Sequence, residues 1–247
     1  MKTLKFSTAL CACLLTFSVQ AADLYLYAGA GLKEPVEKII KQFEQQTGNK
    51  VTVEYAGSGQ LLARYNTVKT GDLYLPGSDD YVEKLAKSGN VVESAPLVKH
   101  IPVMAVRKDK AAGINSWQAL ADSSLRLGIG DSKAMALSKG AEKMLQLSGY
   151  DEALTPKIVV RAATVKQLML YLLNGDVDAA VIGRAGAWKQ RDKLVILPSP
   201  AGTPEEKVTI ALLKTSQHPT EAKQLLDLFR SAQGVKYFTD EGFLPLD

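Results

Sequence analysis

Two matching junctions near the N-terminus constrain this chain more than any other feature. Leu24-Tyr25-Leu26-Tyr27 runs into Ala28-Gly29-Ala30-Gly31 and then into a helical pattern. Val51-Thr52-Val53-Glu54-Tyr55 runs into Ala56-Gly57-Ser58-Gly59 and then into another. Each reads strand, glycine turn, helix. A glycine turn lets backbone approach a ligand closely, and a helix N-terminus offers unpaired N–H groups at the positive end of its dipole. Two such ends side by side form a candidate anion cradle.

Strand and helix signals alternate along the rest of the chain, which predicts an α/β protein with mixed, mostly parallel sheets. Val36, Ile39, Ile40 and Phe43 fall at helical spacing, as do Val165, Leu168, Leu172 and Leu173 after a capping Thr164. Residues 98–106 and 208–213 are extended apolar runs that read as strands crossing between two lobes. The expected organisation is a leader over 1–21, a first lobe over 22–100, a second lobe over 101–204 and a return to the first over 205–247. Glycine-tipped strand ends in both lobes would then face one cleft, where open α/β sheets hold ligands.

The leader carries its own signal. Lys2 and Lys5 precede an apolar stretch over 9–19, and Val19-Gln20-Ala21 reads as a cleavage site. The mature chain is expected to begin at Ala22 and to act outside the cytoplasm. Neither the stretch over 9–19 nor any later apolar run is long enough to span a membrane. Both cysteines, Cys11 and Cys13, fall in the leader, so no thiol, disulfide or cysteine metal site is expected after cleavage. Leu10-Cys11-Ala12-Cys13 loosely resembles a lipoprotein processing site, which leaves lipidation at Cys13 as an alternative.

Charge and residue content exclude several functions. Without Lys2 and Lys5, the 30 basic and 26 acidic residues leave a net charge of +2, with no run of five like charges. That balance argues against a nucleic-acid partner. At 46% apolar, the chain can bury the core of one large domain or of two smaller lobes. The two histidines, His100 and His218, are far apart and read as hinge packing and surface. No G-x-S-x-G or H-E-x-x-H motif accompanies them, so neither an enzyme nor a side-chain metal site is expected.

Several ordered motifs carry a resemblance. Tyr27-Ala28-Gly29-Ala30-Gly31-Leu32, Phe43-Glu44-Gln45-Gln46-Thr47-Gly48 and Ala56-Gly57-Ser58-Gly59-Gln60-Leu61-Leu62-Ala63-Arg64 follow one another, then Gly71-Asp72-Leu73-Tyr74-Leu75. Gly234-Val235-Lys236-Tyr237-Phe238 and Glu241-Gly242-Phe243 lie near the C-terminus. In this order and spacing the chain resembles the periplasmic molybdate/tungstate-binding proteins of ABC importers over nearly its whole mature length. The resemblance implies a two-lobed type II periplasmic-binding-protein fold with two crossing hinge strands, monomeric by default. It also implies an ABC permease in the inner membrane as partner, and a small inorganic oxyanion in the cleft with no cofactor. The family's donors are neutral: two serine hydroxyls from the first lobe, backbone N–H groups, and often a tyrosine hydroxyl from the second. By position, the first serine falls on Gly31 and the second on Ser58. The backbone positions fall near Leu137, within 135–138, and on Val165. The tyrosine position falls on Gly183, beside Arg184.

Each residue has two readings. Ser58 is a hydroxyl donor, an N-cap, or both. Ala30, Gly31 and Gly57 are backbone donors or tight turns. Arg184 is a bidentate oxyanion clamp, or a surface arginine facing Asp192 or solvent. Ser78 and Ser138 offer further donors, and Ser78 can equally cap a helix with Asp79. A donor-rich, acceptor-poor site favours fully ionised molybdate, tungstate or sulfate. Monohydrogen phosphate would need an acceptor for its proton, such as an inward Asp131. Arg184 in the cleft would instead favour an organic phosphate or carboxylate. An anion sensor that signals rather than transports is the alternative role.

Overall fold

The computed structural model describes residues 21–247. The first part contains β1 (Asp23–Gly29), a 3-10 turn (Ala30–Leu32), α1 (Lys33–Thr47), β2 (Lys50–Ala56), α2 (Ser58–Val68), β3 (Leu73–Leu75), α3 (Asp79–Lys87) and β4 (Val91–His100). After Ile101 come β5 (Pro102–Arg107), α4 (Trp117–Asp122), β6 (Leu127–Gly130), α5 (Ser138–Ser148), α6 (Asp151–Leu154) and β7 (Ile158–Ala162). Then follow α7 (Val165–Asn174), β8 (Ala179–Gly183), α8 (Arg184–Lys189) and β9 (Leu194–Ile196). The chain closes with β10 (Glu206–Leu213), α9 (Pro219–Arg230), α10 (Ala232–Asp240) and β11 (Leu244–Pro245).

The strands form two sheets and so two lobes, ordered β11-β4-β10-β3-β1-β2 and β7-β6-β8-β5-β9. Parallel pairing holds for β2-β1-β3 and for β7-β6-β8. The other pairings are antiparallel, more of them than the strand–helix alternation predicts. The reason is the passage between lobes: β4 leaves the first sheet and β10 returns beside it in the opposite sense, with Val98 opposite Val208. The run over 98–106 is correspondingly two strands of different sheets. Pro102 opens β5, where its missing N–H cannot extend the β4 ladder.

Helices cover both faces of the first sheet. Val36, Ile39 and Phe43 of α1 pack with Leu225 and Phe229 of α9 and Phe238 of α10 on one face. Leu61 and Tyr65 of α2 and Leu85 of α3 pack on the other, around a buried Tyr27 whose ring lies 6.2 Å from that of Tyr65 and 6.5 Å from that of Tyr74. The second sheet is covered likewise, by Leu120, Met144 and Leu154 on one side and by Leu168 and Leu172 of α7 on the other. Two-sided cover explains why β5, β6 and β8 are buried along nearly their whole length, whereas the edge strand β7 alternates. α1 ends at Gly48, whose φ of 76° is the left-handed conformation glycine adopts without penalty. α3 is capped by Ser78, whose Oγ accepts from the Asp80 N–H, and not by either aspartate. Among the described residues no helix is long and apolar enough to cross a membrane. The leader features, Lys2, Lys5, Cys11 and Cys13 included, lie outside the described residues.

Candidate ligand-binding site

Three N-terminal ends meet between the lobes: the 3-10 turn after β1, the start of α2 and the start of α7. With the loop before α5 they enclose a small cavity lined by Gly31, Ser58, Gly77 and His100 on one side and by Met135, Ala136, Thr164 and Val165 on the other. The space open to the centre of a water-sized sphere is about 20 Å³, slightly more than one water needs. No lining residue carries a charge at neutral pH. Burial pushes the His100 imidazole down to about 4, against a weaker upward pull from its hydrogen bond to Gly77. Among the described residues no group of three or more His, Cys, Asp or Glu is placed to hold a metal ion.

The donors come from backbone and hydroxyls. The Gly77 N–H donates to Ser58 Oγ at 3.0 Å, and the Tyr74 hydroxyl donates to the Ser58 carbonyl at 2.8 Å. Ser58 is thereby held from both sides while its own hydroxyl hydrogen meets no protein acceptor among the described residues. The backbone N–H groups of Gly31, Ser58, Ala136 and Val165 meet none either. Thr164 Oγ1 accepts from the Gln167 N–H at 3.0 Å as the cap of α7, which leaves a second hydroxyl hydrogen at the cavity wall.

The expected residues divide. Ala30, Gly31, Gly57, Ser58 and Val165 line the cavity. The Gly57 N–H, however, is taken by Gln60 Oε1 at 3.0 Å, so Gly57 contributes close approach and not a donor. A Cβ there would run into the Ala163 carbonyl and lie 2.7 Å from that of Ala134. Met135 and Ala136 line the cavity in place of their neighbour Leu137, whose side chain packs toward Gly183. Gly183 borders an adjoining space with Gly31, Glu34, His100 and Lys189. Arg184 does not reach the cavity. Its N–H bonds the Ile101 carbonyl at 2.8 Å, its guanidinium donates to the Gly242 carbonyl at 3.3 Å, and it stacks over Trp188 one turn on. The Ser138 hydroxyl donates to the Asp131 carbonyl at 2.8 Å, and the Ser78 hydroxyl to Glu206 Oε2 at 2.6 Å. Both are spent inside the fold. Asp131 Oδ1 accepts the Lys133 and Ala134 N–H groups, and Asp131 is not among the residues that line the cavity.

The lobes are in contact around the cavity. The Gly59 N–H donates to the Ala134 carbonyl at 2.9 Å, and a Cβ at Gly59 would collide with the Lys133 carbonyl. Lys139 of α5 meets Asp80 of α3 at 2.6 Å, and Lys189 of α8 shares Glu241 with Lys38 of α1. The Lys139 hydrogen bond holds the Asp80 carboxyl below the usual range, against a smaller effect of burial. Burial pushes Glu241 up, and the hydrogen bonds from Lys189 and Lys38 together outweigh it.

The sequence profile of the bacterial extracellular solute-binding proteins matches residues 24–244. The chain belongs to that family. Its members are solute-binding proteins, and a cavity closed between two lobes is in keeping with that. A Haemophilus influenzae relative, named as a binding protein without a ligand, is 75% identical over 232 residues, 94% of this chain and 95% of its own. The periplasmic molybdate-binding protein of Azotobacter vinelandii superposes with a TM-score of 0.80 at 18% identity, over 91% of this chain and 100% of that one. A periplasmic binding protein of Actinobacillus pleuropneumoniae, with fructose-6-phosphate bound, superposes at 0.78 and 18% identity, over 92% and 85%. At these identities the two structures show a shared type II fold.

For this solute-binding protein, His100, Gly77 and Thr164 are cavity residues beyond the expected set, whereas Met135 and Ala136 fall within the expected stretch over 135–138. One signal was present: His100 interrupts an otherwise apolar crossing segment immediately before the inter-lobe passage. A polar side chain at such a place is buried between two lobes by construction. Gly77 offers only backbone and carries no side-chain signal.

Proposed function

We propose that this protein is the periplasmic solute-binding component of an ABC importer and captures a small tetrahedral oxyanion of the molybdate or tungstate kind between its lobes. The observation that carries the reading is Ser58. Its oxygen is occupied by the Gly77 N–H, so its hydrogen is what it has to give, at a helix N-terminus on the cavity wall. Neutral N–H and O–H donors together with helix dipoles suit an anion without demanding a buried counter-charge. Ligand bridging both sides would favour the closed arrangement of the lobes, whose outer shape a membrane permease could read. Binding and release complete the cycle, with no catalytic step, no cofactor and a single copy of the chain. The Azotobacter vinelandii neighbour supports the molybdate class, and the leader over 1–21 supports export.

A second reading rests on a specific feature. A wider space of about 230 Å³ opens from Gly31 and Val165, lined by Glu34, Lys166, Met169 and Lys189. It would hold the organic part of a phosphate ester or carboxylate whose anionic head sits in the small cavity. The Actinobacillus pleuropneumoniae neighbour supports this class.

A thermal-shift panel on ligand-stripped mature protein tests both. It includes molybdate, tungstate, sulfate, phosphate and a sugar phosphate. A ligand at 100 times its Kd adds about 2.7 kcal/mol, a shift of several degrees. Shifts with the inorganic anions support the first reading. A shift with the sugar phosphate alone supports the second, and no shift with any of them overturns both.

A further inference from the structure

We propose that the bound complex carries one proton between the ligand and His100 Nε2. The site would then take up a proton with a fully ionised dianion, and would accept a monohydrogen oxyanion with its own proton in place. This rests on the oxyanion reading above.

The geometry is specific. His100 is 4% exposed, lines the cavity and also borders the adjoining space beside Gly183. Its Nδ1 lies 2.8 Å from the Gly77 carbonyl oxygen. A carbonyl can only accept, so Nδ1 carries the hydrogen and the neutral ring presents a lone pair at Nε2. That nitrogen has no protein partner among the described residues. A Cβ on Gly183 would lie 2.9 Å from it, so the imidazole occupies the room that a side chain at 183 would need. The resemblance assigns a donor hydroxyl to position 183. Here the same corner holds an acceptor.

Charged groups lie around the ring, but among the described residues none of them is hydrogen-bonded to it. Glu34 of α1 and Lys189 of α8 border the adjoining space, and Lys189 shares Glu241 with Lys38. Glu206, opposite His100 on β10, accepts from Ser78. Arg184 is turned to the Gly242 carbonyl, and the Phe243 ring lies 5.5 Å from the imidazole. A dianion oxygen against the Nε2 lone pair would be repulsive. Two balanced outcomes remove the conflict. Either a proton from solvent adds to Nε2 and the imidazolium donates to the dianion, or the ligand arrives as a monohydrogen dianion and its O–H donates to Nε2 with no proton exchanged.

Titration calorimetry of the mature protein at pH 8, in two buffers of different ionisation heat, reads the proton directly. Sulfate, molybdate and phosphate are the probes, and His100→Gln is the variant. We expect sulfate or molybdate to bind with uptake of about one proton and to weaken about tenfold per pH unit between 7 and 8.5. Phosphate, largely monohydrogen at pH 8, should bind with almost no uptake. In His100→Gln the amide N–H can donate without titrating, so dianion binding should lose its proton uptake. Dianion binding to the natural protein without proton uptake, and flat with pH, overturns this proposal and leaves the oxyanion reading standing. No heat with any probe overturns the oxyanion reading itself. The wild-type measurement decides even if the variant does not fold.

Discussion

The Gly77 N–H donates to Ser58 Oγ at 3.0 Å, joining the loop after β3 to the first residue of α2. Ser58 is 3% exposed, and the bond leaves its hydroxyl one direction in which to donate, toward the inter-lobe cavity. The same serine therefore ties the first lobe's edge of the cavity together and keeps a hydroxyl hydrogen available beside it.

Replacing Ser58 by alanine removes both roles. The anion should bind about ten- to a hundredfold more weakly, since a hydrogen bond to a charged group contributes roughly 1.5–3 kcal/mol. Folding stability should fall by about 1–3 kcal/mol, because the Gly77 N–H is left buried without a partner. Calorimetric titration and a denaturant melt read the two losses separately. Unchanged affinity with lowered stability would make Ser58 purely structural.

Gly59→Ala separates folding from closure. Gly59 lies in α2 with an ordinary helical backbone, and alanine there should raise the stability of the unliganded protein by up to about 1 kcal/mol. Its methyl group would meet the Lys133 carbonyl when the lobes close. Small-angle scattering should show no compaction on adding ligand, and affinity should drop by at least about tenfold, the 1.4 kcal/mol scale of a mild overpacking clash.

Arg184→Ala should leave anion affinity within about twofold of the natural protein, the range of a substitution outside the site. The guanidinium is held by the Gly242 carbonyl and the Trp188 ring, away from the cavity. A tenfold loss in titration would restore the clamp.

The His100 shift sets a pH window for stability. Its pKa is pushed from the ordinary 6.5 down to about 4, so between those values the unfolded chain binds more protons than the folded one. The stabilisation is present above about pH 6.5 and is lost as pH falls toward 4, by at most about 3 kcal/mol. The carboxylates Asp80 and Asp178, held low mainly by hydrogen bonds from Lys139 and Arg126, act in the same direction at lower pH. Glu206, raised by burial, acts in the opposite sense. Melting temperatures from pH 7 to 4 should therefore fall less steeply in His100→Gln than in the natural protein. Parallel curves would show that His100 does not stay buried in solution.

Much of the candidate site is legible in the sequence because it is local. A strand, a glycine turn and a helix start lie within a few residues of each other, so Gly31 and Ser58 could be placed on a helix end from sequence alone, as could Val165 after its Thr164 cap. Ser78, Ser138 and Arg184 also sit at local turns or element ends in the sequence. Ser78 is spent on Glu206, 128 residues away, and Arg184 on Gly242, 58 residues away. No spacing rule reports such partners. α8 carries little sequence signal because it is short and contains Gly186, which weakens the helical pattern.

The alternation of strands and helices, the glycine-tipped junctions and the polarity of the helix ends are written into short stretches of residues, because all of them follow from local backbone propensities. Which hydroxyls remain free to donate, the turn of Arg184 away from the cavity and the filling of the corner at Gly183 by His100 come from long-range packing instead. Each of those depends on what two distant segments bring within about 3 Å of one another, the distance at which a hydrogen bond is made or lost.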